Sequence, residues 1–166
     1  AGTDSIDINQ VGAGDAAVLL ISAGNLQLKA PTGGVDSSGN LTLRAAGAVT
    51  VGDTLTGTST DLTSGGSFNA LSTGTGDFNG FNITVNNDGN ITLDFDQKVG
   101  AEINIRGNVV ANGSGFIQLD SSDNGLFGTA AGVGGAISAD TGNITSRIDG
   151  SATYHGNIAG NDITLD

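Results

Sequence analysis

A three-residue phrase, glycine then asparagine then an aliphatic residue, constrains this chain more than any other feature. It occurs at Gly24-Asn25-Leu26, Gly39-Asn40-Leu41, Gly89-Asn90-Ile91, Gly107-Asn108-Val109, Gly142-Asn143-Ile144 and Gly156-Asn157-Ile158. Glycine and asparagine tolerate positive φ or bond nearby backbone, so the phrase marks a tight corner that feeds directly into an apolar strand. Recurrence of one corner along a chain is the signature of stacked coils, each of which solves the same turning problem. The intervals of 15, 50, 18, 35 and 14 residues, read as one, three, one, two and one turns, give about 16.5 residues per turn and predict a coil of roughly 17–20 residues. Asn25, Asn40, Asn90, Asn108, Asn143 and Asn157 are then structural corners, with side chains expected to stack as a ladder about 4.8 Å apart.

Each corner opens a segment in which apolar and polar residues alternate, as in Asn40-Leu41-Thr42-Leu43-Arg44, the pattern of a half-buried strand. The same alternation runs through Ile6/Ile8, Leu26/Leu28, Val49/Val51, Ile83/Val85, Ile91/Leu93/Phe95, Ile103/Ile105, Ile117/Leu119 and Ile163/Leu165. No comparable run has helical period. Turn residues follow at once, as in Asp36-Ser37-Ser38-Gly39 and Asn87-Asp88-Gly89-Asn90. The expectation is an all-β chain folded as one β-solenoid over residues 1–166, with about eight or nine coils and a length of roughly 40 Å. A barrel or sandwich of antiparallel hairpins would also supply many short strands. Six Phe, one Tyr and no Trp make a thin aliphatic core, and hairpins have no need of a repeated corner, so the solenoid is favoured. Two stretches lack the rhythm, Gly52 to Gly80 and Asp120 to Gly142. The second, 120–142, is read either as a loop leaving the coil or as a coil of small residues.

Composition narrows the classes of function. Of 166 residues, 29 are glycine, more than twice the usual share of roughly 7%. Five Lys and Arg against seventeen Asp and Glu leave a net charge of −12; no basic stripe can be assembled, which argues against nucleic acid and anionic lipid. The longest apolar run, Ala16 to Ile21, is far short of the ~18 residues of a membrane span. Absence of Cys excludes a disulfide scaffold and a thiolate metal site. The chain begins at Ala1, holds no Met and closes on the strand-like Ile163-Thr164-Leu165, which reads as a segment cut from a longer rod. Its partners would be the neighbouring coils of that parent chain and, where an edge is open, other copies associating end to end.

Residues Gly39 to Gly57, GNLTLRAAGAVTVGDTLTG, closely resemble the repeats of filamentous haemagglutinin and related large exoproteins of two-partner secretion systems. Asn25 to Ala30 and Ile83 to Phe95 echo them, and elsewhere only the texture is shared. Autotransporter passengers are similar in the same way. The resemblance implies a right-handed parallel β-helix exported across a Gram-negative outer membrane, secreted or displayed at the cell surface, and serving virulence as an adhesin toward a cell-surface receptor or glycan. The single proline, Pro31, leaves no Asn-Pro-Asn-Leu secretion motif, so the segment corresponds to a repeat region and not to a secretion-signal domain.

Candidate chemistry centres on Asp94 and Asp96, which share a strand face about 7 Å apart because residues i and i+2 point the same way; Lys98 follows. Polysaccharide-cleaving enzymes use such pairs, one acid protonating the leaving oxygen while the other activates water. The competing reading is a solvated face opposite Ile91, Leu93 and Phe95. His155, the only His, sits beside Tyr154 without the Asp or nucleophile spacing that would mark a general base. Arg44, Arg106 and Arg147 would grip an acidic sugar only if coiling stacked them. Asp120 and Asp123, in the acidic turn that runs to Gly125, are candidate metal ligands, hard oxygens suited to a structural calcium, but the closing Glu and spacing of an EF-hand are missing. Thr42, Thr50, Thr92 and Thr164 raise an ice-binding array if register puts them on one face. Asn40, Asn82, Asn90, Asn112 and Asn143 fall in Asn-x-Ser/Thr sequons. The sequence therefore points to an extracellular structural and adhesive rod segment and not an enzyme, with no cofactor expected and a structural calcium the one candidate. A polysaccharide-binding or polysaccharide-cleaving β-helix is the alternative.

Overall fold

The computed structural model describes residues 5–8, 12–13, 18–28, 35–37, 40–51, 62–74, 76–129 and 134–166, and in them the chain repeats one circuit of three strands. The first coil is β1 (Ser5–Ile8), β2 (Gly12–Ala13) and β3 (Val18–Ser22); the second is β4 (Asn25–Leu28), β5 (Val35–Ser37) and β6 (Leu41–Ala45). The third is β7 (Val49–Val51), β8 (Leu62–Ser64) and β9 (Phe68–Ser72); the fourth is β10 (Phe78–Gly80), β11 (Ile83–Val85) and β12 (Ile91–Phe95). The fifth is β13 (Ile103–Ile105), β14 (Val109–Ala111) and β15 (Ile117–Ser121), and the sixth β16 (Gly125–Phe127), β17 (Ile137–Ala139) and β18 (Ile144–Ile148). The seventh is β19 (Ala152–Tyr154), β20 (Ile158–Ala159) and β21 (Ile163–Leu165). Like strands of successive coils stack into three seven-stranded parallel sheets, and no helix occurs among the described residues. The fold is an all-β, parallel β-solenoid.

Register corrects the expected coil. Ile144 lies beside Ile163, Ile91 beside Ile117, and Val49 beside Phe78. Most circuits are therefore longer than the corner spacing predicts, and seven coils replace the expected eight or nine. The reason is that the Gly-Asn phrase marks all three corners and not one. Asn25 opens a strand of the first sheet, Asn108 and Asn157 precede strands of the second, and Asn40, Asn90 and Asn143 precede strands of the third. Intervals between phrases thus counted fractions of a coil as whole ones.

Alternation builds the core. In β12, Ile91, Leu93 and Phe95 are fully buried while Thr92 and Asp94 face outward. The same inward positions recur coil on coil, as in Leu41, Phe68, Ile91, Ile117 and Ile144 along the third sheet. Large and small residues compensate within the thin interior. A Cβ at inward-facing Gly80 would fall 2.8 Å from Cε1 of Phe78, and one at Gly125 would fall 3.0 Å from Cε2 of Phe127, so glycine makes room for each ring. Phe78 meets Phe95 edge-on at 5.5 Å, and Phe127 stacks on Tyr154 at 4.9 Å. Residues 120–142 hold the end of β15, all of β16 and all of β17, with 130–133 outside the described residues. Of Gly52 to Gly80, 52–61 and 75 also lie outside them, while the rest supplies β8, β9 and β10.

Candidate functional site

The corners hold the outer faces in register. Among the described residues, the corner residue before a strand accepts through its carbonyl from the first inward strand residue of the coil below, as Ala48 does from Leu26 N–H and Phe116 from Ile91 N–H, both at 2.9 Å. Where that residue is Asn or Asp, its side chain also accepts from the corner N–H of the coil above. Asn25 Oδ1 takes Ala48 N–H at 2.9 Å, Asn40 takes Ser67 N–H at 2.8 Å, and Asn90 takes Phe116 N–H at 3.0 Å. Asn108 takes Ala136 N–H at 3.2 Å. The expected stack of Asn side chains is thus mainly a set of side-chain-to-backbone hooks. Asn143 differs, accepting from Asn161 Nδ2 at 3.3 Å. Asp77, Asn82 and Asn124 make the same hook toward Glu102, Asn108 and Ser151 N–H. The phrase missed them because Asn82 and Asn124 do not follow glycine, and Asp77, which does, is not asparagine.

With coils locked this way, the outer face of the third sheet carries two columns. One contains Thr42, Asn69, Thr92, Gln118, Thr145 and Thr164, and its neighbour contains Arg44, Leu71, Asp94, Asp120 and Arg147. Three acids meet on the second column and its edge. Gln97 Nε2 donates to both oxygens of Asp94, at 3.0 and 3.3 Å, and to Asp96 Oδ1 at 3.1 Å, so one amide joins the two carboxyls. Asp120 is the register partner of Asp94 on the next coil, and although it faces outward its side chain is only 9% exposed. Gln118 Nε2 donates to Asp120 Oδ2, and Arg147 lies 3.5 Å from Oδ1. Partial burial raises the pKa of Asp96 above 3.8; hydrogen bonding and repulsion from Asp94 and then the charge of Asp120 add to the rise, while Gln97 opposes it.

The structure brings Asp94 and Asp96 together as the sequence suggested, and adds Asp120, Gln97, Gln118 and Arg147. Only the true circuit reveals Asp120 and Arg147, which stand in the column of Asp94 on the next coil and the one after it. Asp123 lies at a corner instead, its carbonyl accepting from Gly150 N–H at 2.8 Å. Among the described residues no group of three or more His, Cys, Asp or Glu is placed to hold a metal ion.

The three arginines do not converge. Arg44 and Arg147 share a column but stand four coils apart, about 19 Å. Arg106 lies at another corner, its Cζ 6.0 Å from the centroid of the Phe81 ring. His155 is exposed, and its backbone N–H donates to Phe127 O at 2.9 Å. Thr42, Thr92 and Thr164 do share a column, interrupted by Asn69 and Gln118 and flanked by charge, while Thr50 belongs to the first sheet. That is not the flat regular array an ice surface needs.

Fold and site together define a parallel β-solenoid with acidic, polar outer faces. Comparison with protein-family models, curated proteins and solved structures finds no match. Among the described residues no helix is long and apolar enough to cross a membrane.

Proposed function

We propose that the chain is a structural and adhesive rod segment of a bacterial surface or secreted exoprotein, wound right-handed and displayed outside a Gram-negative cell. One observation carries the reading: buried columns run through three parallel seven-stranded sheets, so the molecule is a stiff spacer in which each coil supports the next. Six steps of ~4.8 Å give a rod of about 29 Å, shorter than the roughly 40 Å expected from more coils. Right-handed winding follows from the strong preference of parallel crossovers for that hand. The likeness of Gly39 to Gly57 to filamentous-haemagglutinin repeats supports export and a receptor or glycan partner. A net charge of −12 keeps such a rod soluble. Beads coated with the chain should retain host or bacterial cells above beads coated with an acidic control protein. Retention equal to the control removes the adhesive role.

The acid cluster favours a second reading, a polysaccharide-binding or polysaccharide-cleaving β-helix in which Asp96 gives up its proton and Asp94 or Asp120 activates water. Incubation with neutral and acidic polysaccharides, read by new reducing ends, separates the two. Cleavage that Asp96→Asn abolishes would establish the enzyme, and its absence from every polysaccharide would leave the rod.

A further inference from the structure

We infer that the outer face of the third sheet is an interface on which a second copy of this chain packs antiparallel, related by a two-fold axis through Leu71. The five-residue strands of this sheet present two outward columns, whereas three-residue strands such as β8 and β11 of the second sheet present one. In one column Arg44 and Asp94 stand one coil to either side of Leu71, and in the other Thr42 and Thr92 flank Asn69 in the same way. Arg44 is exposed, and among the described residues no carboxylate pairs with it. Asp94 stands two coil steps away in the same column, roughly 10 Å along the rod.

The order of charge along the column fixes both the partner and its direction. Laid antiparallel about Leu71, Arg44 of each copy faces Asp94 of the other, Leu71 meets Leu71 and Asn69 meets Asn69. Parallel packing in register sets Arg44 on Arg44 or on Thr42, and staggered by two coils it sets Leu71 on Asp120. The edges fit the antiparallel register as well. Residues 96–102 join β12 to β13, and only 46–48 join β6 to β7 on the same edge of the face. The longer corner of one copy therefore lies over the shorter corner of the other, and Val99, 86% exposed, gains exposed Ala46 as an apolar neighbour. Leu19 and Ile21, 60% and 57% exposed, point outward from β3 and lie over Gln118 and Asp120 of the other copy. Asp120 already holds Gln118 Nε2 and Arg147, so covering it strands no charge. An apolar centre with complementary charge around it is the anatomy of a protein interface. The contact is isologous and closes at two copies. Each copy carries −12, which opposes approach, and moderate salt screens that long-range repulsion more than it screens covered ion pairs. Pairing covers Asp94, so a polysaccharide on the acid cluster is the competing occupant of this face.

Light scattering of the native chain should show average mass rising with concentration and levelling at twice that of the monomer. Arg44→Asp and Asp94→Arg each set like charges across the axis, so either variant alone should need a roughly tenfold or higher concentration to pair. Mixed in equal amounts, the two variants regain both ion pairs and should dimerise as the native chain does. Asp94→Arg also makes the chain less acidic; if that variant pairs more readily than the native chain, net repulsion alone governs association and the proposal falls. The native chain has no Cys, so Leu71→Cys chains should be linked to one another across the axis by a short bismaleimide. Thr50→Cys, on the face of the first sheet, should stay unlinked. Circular dichroism checks that each variant keeps its strands; where a charge variant unfolds, the Leu71→Cys result decides. Growth past two copies would overturn the closed pair. A folded native monomer at every concentration and salt would overturn pairing altogether and leave the face to a polysaccharide.

Discussion

Asn90 ties its coil to both neighbours, its side-chain oxygen accepting Phe116 N–H at 3.0 Å while its backbone carbonyl accepts Phe68 N–H at 2.8 Å. Removing the side-chain acceptor leaves the corner N–H to water. Asn90→Ala should therefore lower stability by about 1 kcal/mol, a fall in Tm of roughly 2–4 °C, whereas Asn90→Asp, which keeps an acceptor in place, should lose less; equal losses would mean the hook carries no energy. Two aspartates act in opposite directions in acid. Asp96 has its pKa raised above 3.8, so between 3.8 and the raised value the folded chain holds more proton than the unfolded chain, and stability falls as pH rises through that window. Asp88 is lowered by hydrogen bonds from Ser114 N–H and then Oγ, so its contribution is complete above 3.8 and is lost as pH falls through the depressed value. Asp96→Asn should raise Tm at neutral pH and flatten its slope above 3.8, while Asp88→Asn should flatten only the acid limb. A pH profile of Tm unchanged by Asp96→Asn would mean that its repulsion with Asp94 is screened away.

At the scale of the strand, size compensation decides what the interior accepts. Phe127 lies between Gly125 and Tyr154, and its ring uses the space a side chain at Gly125 would fill. Phe127→Ala should cost about 3–5 kcal/mol through the cavity it leaves, and restoring bulk with Phe127→Leu should recover part of that, as read by denaturant midpoint at constant m-value. The same compensation explains which strands were legible. Runs with two aliphatic residues at alternate positions, such as Leu41/Leu43 and Ile103/Ile105, all fall in strands. Phe68-Ala70-Ser72, Phe78-Gly80, Gly125-Phe127 and Ile144-Ser146-Ile148 are equally buried but put Gly, Ala or Ser inward, so the alternation is invisible to a hydropathy count. Other buried serines bond backbone: Ser22 Oγ donates to Asn25 O at 2.8 Å within a corner, and Ser121 Oγ donates to Ala101 O at 2.7 Å between coils. The corner phrase was readable, but its distribution over three corners was not, because Asn serves each corner by the same hook. That ambiguity also hid Asp120 from Asp94, since only the full three-strand circuit brings them side by side.

For the molecule as a whole, stability is close to one-dimensional, with each coil held by the coil below and the coil above. β12 in the fourth coil is paired on both sides, by β9 and β15, and its Ile91, Leu93 and Phe95 are sealed. β21 is paired on one side only, by β18, and its Ile163 and Leu165 are exposed. An end coil can open by giving up one interface, whereas a central coil opens only if two interfaces break or the rod unravels to it. Amide exchange should therefore rise from the middle toward the seventh coil, with β21 exchanging at least roughly tenfold faster than β12, equivalent to ~1.4 kcal/mol in opening free energy. Asn90→Ala, which weakens a central interface, should speed exchange in β12 and β15 more than in β21. Equal protection in all coils would show that the solenoid opens as one cooperative unit, and the nearest-neighbour picture would then give way to a single global transition.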